Sequence, residues 1–170
     1  MLLRYTGVFA CLGFLSLCWA YKVTPIIGDD VYPFVKIGNG YYYIENNKRA
    51  NWYQAYIACR KMGAELVSFE TREELDAMDA YIPIEYSLRQ YWTSGTDLAV
   101  KGMHVWFSNA EPLADDVWYP GEPNDAGGNE RCDILIYKGT GGTAINDRQC
   151  DSVELYICEV PLPKEVSFIW

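Results

Sequence analysis

The chain is poor in histidine, in positive charge and in long apolar runs, and each shortage closes off a class of function. His104 is the only histidine and no CxxC pair occurs, so a zinc site lacks its ligands. Only 14 Lys and Arg stand against 23 Asp and Glu, a formal net charge of −9. That balance argues against nucleic acid or an anionic membrane as partner. Beyond residue 20 no stretch is long or apolar enough to span a bilayer. The terminal Phe168-Ile169-Trp170 is too short for a lipid-anchor signal, so no membrane anchor is expected. No Asn-x-Ser/Thr sequon occurs, and N-glycosylation is not expected. Heptads, Gly-X-Y triplets and internal repeats are missing too, so any homo-oligomer must form through the domain surface or the arms.

What is present points to an extracellular protein. Met1-Leu2-Leu3-Arg4 precedes a mostly apolar stretch from Gly7 to Ala20, the pattern of a secretory signal peptide over residues 1–20. Its removal takes away Arg4, Cys11 and Cys18, leaving 13 basic against 23 acidic residues and a net charge of −10. The remaining ~150 residues suit one domain with one core. Cys59, Cys132, Cys150 and Cys158 remain. Four cysteines allow three pairings, and in a secreted chain two bonds are expected. A Cys59–Cys158 bond would close a loop worth roughly 4–5 kcal/mol in the chain-entropy model, and a Cys132–Cys150 bond roughly 3 kcal/mol.

Local patterns give an α+β chain. Residues 21–33 read as a short N-terminal arm. Gly40 to Ile44 is aromatic and follows a Gly-Asn-Gly turn, as a strand would. Trp52, Ala55, Tyr56, Cys59 and Met62 share one helical face, closed by Arg60-Lys61 and Gly63. A short strand is expected over Glu65 to Phe69. Thr71 and Glu74 form a capping-box pattern for a second helix, buried through Leu75, Met78 and Ile82 and stopped by Pro83. From Ser94 to Asn129 no periodicity lasts, but Trp106 and Trp118 suggest an ordered, functional loop region. Strands are expected over Asp133 to Tyr137 and Leu155 to Val160, with the tip Gly139-Thr140-Gly141-Gly142 between them.

The chemistry concentrates in three short motifs. Glu122-Pro123-Asn124, then Glu130 just before Cys132, then Asn146-Asp147 just before Cys150, supply three carboxylates and two carboxamides. They read as two loop segments held side by side by a disulfide. All five groups offer oxygen, which suits a hard cation such as Ca²⁺ with its 6–8 oxygen ligands. Singly each motif is common; the ordered set is specific. A glycosidase pair of Glu122 and Glu130 is the enzymatic alternative. Every carboxylate already has a metal role and nothing else suggests a nucleophile, so no enzyme is expected. His104 reads as a structural residue, and Trp52, Trp92, Trp106 and Trp118 as core.

Together with Trp92-Thr93-Ser94-Gly95, Trp118 and Ile157-Cys158-Glu159, these motifs resemble the C-type lectin domain over residues 34–160, most closely the secreted single-domain lectins of insects. The resemblance implies two helices, short antiparallel strands, a long calcium-binding loop region and a tail over 161–170. It implies the pairings Cys59–Cys158 and Cys132–Cys150, a cis peptide at Pro123, and one Ca²⁺ held by Glu122, Asn124, Glu130, Asn146 and Asp147. The same five residues would bind sugar, and Glu-Pro-Asn goes with mannose-type sugars (mannose, fucose, GlcNAc). The implied partners are glycans of microbial surfaces, met in innate immunity. The alternative is a lectin-like fold that binds protein or another ligand without calcium.

Two departures from that family stand out. Ile145 occupies a position where tryptophan is usual, which should alter packing more than ligation. Acids that hold an auxiliary Ca²⁺ in many members align with Asp97, Lys101, Asp125 and Arg131, and two of these are basic here. The auxiliary ion is therefore expected to be lost, with Lys101 and Arg131 pairing with Asp97 and Asp125 in its place.

Overall fold

The computed structural model describes residues 32–83, 86, 88–137 and 142–161. The expected signal peptide, nearly all of the arm and tail, and residues 139–141 of the glycine-rich tip lie outside the described residues.

Both expected helices form where their end signals stand. Helix α1, Trp52–Lys61, begins at Asn51, whose side chain accepts from the Gln54 N–H at 2.9 Å while Gln54 reaches back to the Asn51 N–H. Gly63 follows the cap at φ +73°, a conformation that suits glycine. Helix α2, Arg72–Tyr81, opens on the Thr71–Glu74 box. Leu75, Met78 and Ile82 are buried, as the spacing predicts.

Among the described residues eight strands form one sheet: β1 Val35–Ile37, β2 Gly40–Ala50, β3 Glu65–Leu66, β4 Gln90–Thr96, β5 Val105–Trp106, β6 Cys132–Tyr137, β7 Thr143–Arg148 and β8 Glu154–Glu159. The main path runs β1-β2-β8-β4-β6-β7, with β3 beside β8 and β5 beside β4. All ladders are antiparallel except β4 with β8. Alternate residues of a strand point to opposite faces. Tyr91, Leu135, Leu155 and Ile157 therefore pack with α2, while Trp92, Ile134, Ile136 and Tyr156 pack with Trp52, Ala55 and Cys59 of α1. Cys59–Cys158 ties α1 to β8, and Cys132–Cys150 ties the start of β6 to the chain beyond β7.

Three strands differ from the expectation. Strand β4 sits mid-sheet and is buried from Tyr91 to Thr96, so no polar alternation marks it. Strand β7 carries Asn146 and Asp147, which the sequence suggested were in a loop. The expected strand Glu65 to Phe69 is paired only at Glu65–Leu66. Beyond it Val67 bridges two strands, donating to Ile157 O at 3.0 Å and accepting from Ser94 N–H at 2.8 Å.

Glu159, at the end of β8, is pushed up to about 7. Burial is the main cause; the charges of Glu74 and Glu70 add to it, against bonds from the Ser68 N–H and the Tyr42 hydroxyl. An acid whose folded value exceeds its usual 4.5 destabilises the fold as pH rises through that window. Glu159→Gln is expected to raise stability at pH 8 by about 1–3 kcal/mol and to do nothing below pH 4. Thermal unfolding across this pH range checks it; an equal gain at every pH would contradict the assignment.

Candidate functional site

The loop before the first motif is anchored to β7. Trp118 pairs with Ile145 as a bridge, and the Tyr119 N–H donates to Ile145 O at 2.8 Å. Gly121, at φ +93°, turns the chain into Glu122, and the Glu122–Pro123 peptide is cis as the resemblance implied. The loop then closes on two carboxylates. Asp147 Oδ1 and Oδ2 accept from the N–H groups of Asn124 at 3.0 Å and Asp125 at 2.7 Å. Glu130 accepts from the Ala126 N–H, and the Glu130 N–H returns to Asp125 Oδ1, both at 3.0 Å. Asp125 adopts φ 45°, a left-handed conformation that aspartate tolerates.

Asp147 is the hub of this arrangement. It is fully buried on β7, while Glu122, Asn124 and Glu130 come from the loop. Asn146 precedes it, and the Asn146 amide donates to Asp147 O at 2.7 Å. Glu122 is held above the usual carboxylate value by burial, then by the Asp147 carboxylate beside it and the charge of Glu130, against the Asn124 N–H. Glu130 is raised by burial and by Asp147 and Asp125, against the Ala126 N–H and Arg148. The buried Glu122 Oε2 has no hydrogen-bond partner. Crowded carboxylates raise one another, and a bound cation relieves that repulsion. Among the described residues no three His, Cys, Asp or Glu side chains stand as a preformed metal cluster. The donor set is mixed acid and amide, all oxygen, and with the orphaned Glu122 oxygen it fits a hard cation.

Beside this site lies a second charged cluster. Lys101 Nζ is 2.7 Å from Asp125 Oδ2, and Arg131 Nε bonds the Asp97 carboxylate. The Arg131 fork is completed by Nη2 on the Asp97 backbone carbonyl at 2.6 Å, so it grips the residue rather than both carboxylate oxygens. The expected pairs are thus present. Sequence reasoning missed a third partner of these acids. The His104 side chain is only 6% exposed, with Nδ1 at 2.9 Å from Asp133 Oδ1 and Nε2 at 3.8 Å from Asp97 Oδ2. Burial lowers the His104 value, but the bond to Asp133 and the charges of Asp133, Asp97 and Asp147 outweigh it, and the net shift is upward. Burial pushes Asp133 up to about 6 against the pull of His104. Asp133 is the register partner of Asp147 across β6 and β7, so His104 contacts the acid next to the hub as well as Asp97. The one available signal was a solitary histidine inside an acid-rich loop region.

A family profile described as "Lectin C-type domain" matches residues 48–160. The chain belongs to the C-type lectin family. It is 42% identical to C-type lectin 37Da of Drosophila melanogaster over 146 residues, which cover 82% of this chain and 78% of that protein. It is 32% identical to C-type lectin 37Db of the same species, covering 74% of this chain and 81% of that protein. Among solved structures, the cow C-type carbohydrate-recognition domain of CD23, studied with a GlcNAc2Man3 oligosaccharide, superposes with a TM-score of 0.63. That domain is 30% identical, covering 74% of this chain and 91% of its own.

C-type lectins are carbohydrate-binding proteins and not enzymes, so the glycosidase reading of Glu122 and Glu130 falls away. In this lectin Ile145 is fully buried and its carbonyl anchors Tyr119, so its side chain packs in the core while its backbone positions the loop. No helix among the described residues is long and apolar enough to cross a membrane.

Proposed function

We propose that the protein is a secreted, calcium-dependent lectin for mannose-type sugars, acting on microbial glycans in innate immunity. The observation that carries this reading is the Glu122–Asn124 turn, closed by two N–H bonds onto Asp147 and leaving a buried Glu122 oxygen unpartnered. Glu122, Asn124, Glu130, Asn146 and Asp147 would hold one Ca²⁺, which supplies a Lewis-acidic centre for two vicinal sugar hydroxyls. Each hydroxyl can donate to a carboxylate and accept from a carboxamide N–H. Glu122 and Asn124 set that donor and acceptor order.

Retention on mannose-agarose that EDTA abolishes tests the reading; retention in EDTA, or none in calcium, contradicts it. Mannose should elute the protein better than galactose. The double change Glu122→Gln and Asn124→Asp is expected to tilt preference toward galactose, read as the ratio of the two sugars' inhibitory concentrations. A ratio unmoved by the swap would separate specificity from this turn.

Acid should release the sugar. Glu122 and Glu130 lie above their usual 4.5, so protons compete with calcium from above that pH. At limiting calcium the binding midpoint is expected above pH 4.5, moving upward when calcium is lowered tenfold. A midpoint indifferent to calcium would contradict ligation by these acids.

A further inference from the structure

A cavity of about 650 Å³ lies between β2, α1 and β8, lined by none of the proposed sugar-site residues. It exists because β2 leaves its ladder. Glu45 pairs with Tyr156 and Ala50 with Glu154, so the four residues from Asn46 to Arg49 stand opposite Leu155 alone. The bulge carries Lys48 and Arg49 over the outer face of α1. That face presents Tyr53, Ile57 and Lys61 at helical spacing, while Trp52, Ala55 and Cys59 point into the core. Tyr156 lies at the back, itself buried. Tyr53 and Ile57 are 46% and 51% exposed, an unusual placement for two large apolar side chains on one concave surface.

The charge of this cavity runs against that of the molecule. In a chain of net charge −9, its lining holds three cations and no acid. Arg49 is partly neutralised by Glu154 at 2.6 Å. Glu45 is engaged inside the bulge, accepting the N–H groups of Asn47 and Lys48 and the Tyr43 hydroxyl. Lys48 and Lys61 form no ion pair among the described residues. Lys48 acts by charge on Glu45 without a direct ion pair, and with Lys61 it rims a mostly apolar floor, on a scale typical of small-molecule sites, roughly 300–1,000 Å³.

We infer that this cavity binds a free, single-chain amphipathic anion, its carboxylate or sulfate head at Lys48, Lys61 and Arg49 and its apolar tail along Tyr53, Ile57 and Tyr156. A lysine ammonium is a compact point charge that can accept either head group. The acidic surface elsewhere repels an anionic bilayer, whereas a small anion inside the cavity feels charges within about one Debye length, ~8 Å. The site is independent of calcium and of the sugar reading.

Calorimetric titration of the protein with sodium decanoate, in EDTA and below the micellar range, tests it. Saturable one-to-one binding is expected, weakened at least tenfold by Lys48→Glu with Lys61→Glu and by replacing decanoate with uncharged decanol. Raising salt from 20 mM to 500 mM should weaken it severalfold in the unaltered protein, which requires no variant to fold. Decanol binding as tightly as decanoate, an unaffected double variant, no saturable binding, or preferential capture by phosphatidylglycerol vesicles would each overturn the inference. Glu122→Gln should leave decanoate binding unchanged.

Discussion

Asp147→Asn is expected to abolish retention on mannose-agarose and to lower thermal stability even in EDTA. The two effects have different causes. Both Asp147 oxygens already accept backbone N–H bonds, from Asn124 and Asp125, without any metal. Asparagine keeps the shape but turns an amide NH₂ toward one of those N–H groups. One bond is lost and a donor is left unsatisfied beside a fully buried side chain, a cost of about 1–3 kcal/mol. The turn that presents Glu122 and Asn124 then loses its anchor. Calcium affinity should fall further, because the hub of the carboxylate set has lost its charge; even supporting residues of metal sites typically cost ~10–100-fold when changed. Asp151→Asn, on an exposed turn outside the cluster, is the matched control. Thermal unfolding in EDTA and mannose retention in calcium read the two effects separately. An unchanged melting temperature would contradict the anchoring role, and intact retention would contradict ligation.

The parts of this protein legible in its sequence are those specified by neighbours along the chain. Helix α1 and helix α2 each carry a capping box and an apolar stripe within about ten residues, and both form as read. Strand β4 is buried on both faces by elements distant in sequence, so its residues show no alternation of their own. Asn146 and Asp147 look like loop residues because they are polar; they are strand residues because β6 pairs with them throughout. The Glu122–Asn124 turn was visible as a turn, but not the fact that Asp147 closes it. His104 and Asp133 lie 29 residues apart, and neither carries a local sign of the other. The pairing of Lys101 and Arg131 with acids was legible only through the resemblance, which implied bases at two positions expected to be acidic.

That reversal leads to the second large effect. Arg131→Ala is expected to destabilise the loop region by about 1–3 kcal/mol, since Arg131 is itself 26% exposed and the main cost is a buried Asp97 oxygen left without its donor. The Asp97 side chain is only 4% exposed and Arg131 contacts both its carboxylate and its backbone carbonyl. Asp97 also accepts the Gly102 N–H at 2.6 Å, so the turn carrying Lys101 and His104 depends on the same residue. Lys101→Ala should cost far less, since Lys101 is 58% exposed. The decisive variant combines Lys101→Glu with Arg131→Asp, which places four acids where two ion pairs now stand. In EDTA this variant should unfold at a lower temperature than Arg131→Ala, because two added acids then repel Asp97 and Asp125 where two cations stood. In calcium it should recover, and calorimetric titration should count two Ca²⁺ per chain against one for the unaltered protein. If the unaltered protein already takes two, Lys101 and Arg131 do not replace an ion. If the double variant stays at one and gains no stability from calcium, the charge pattern alone does not build the second site, and His104 beside Asp97 becomes the group to change next.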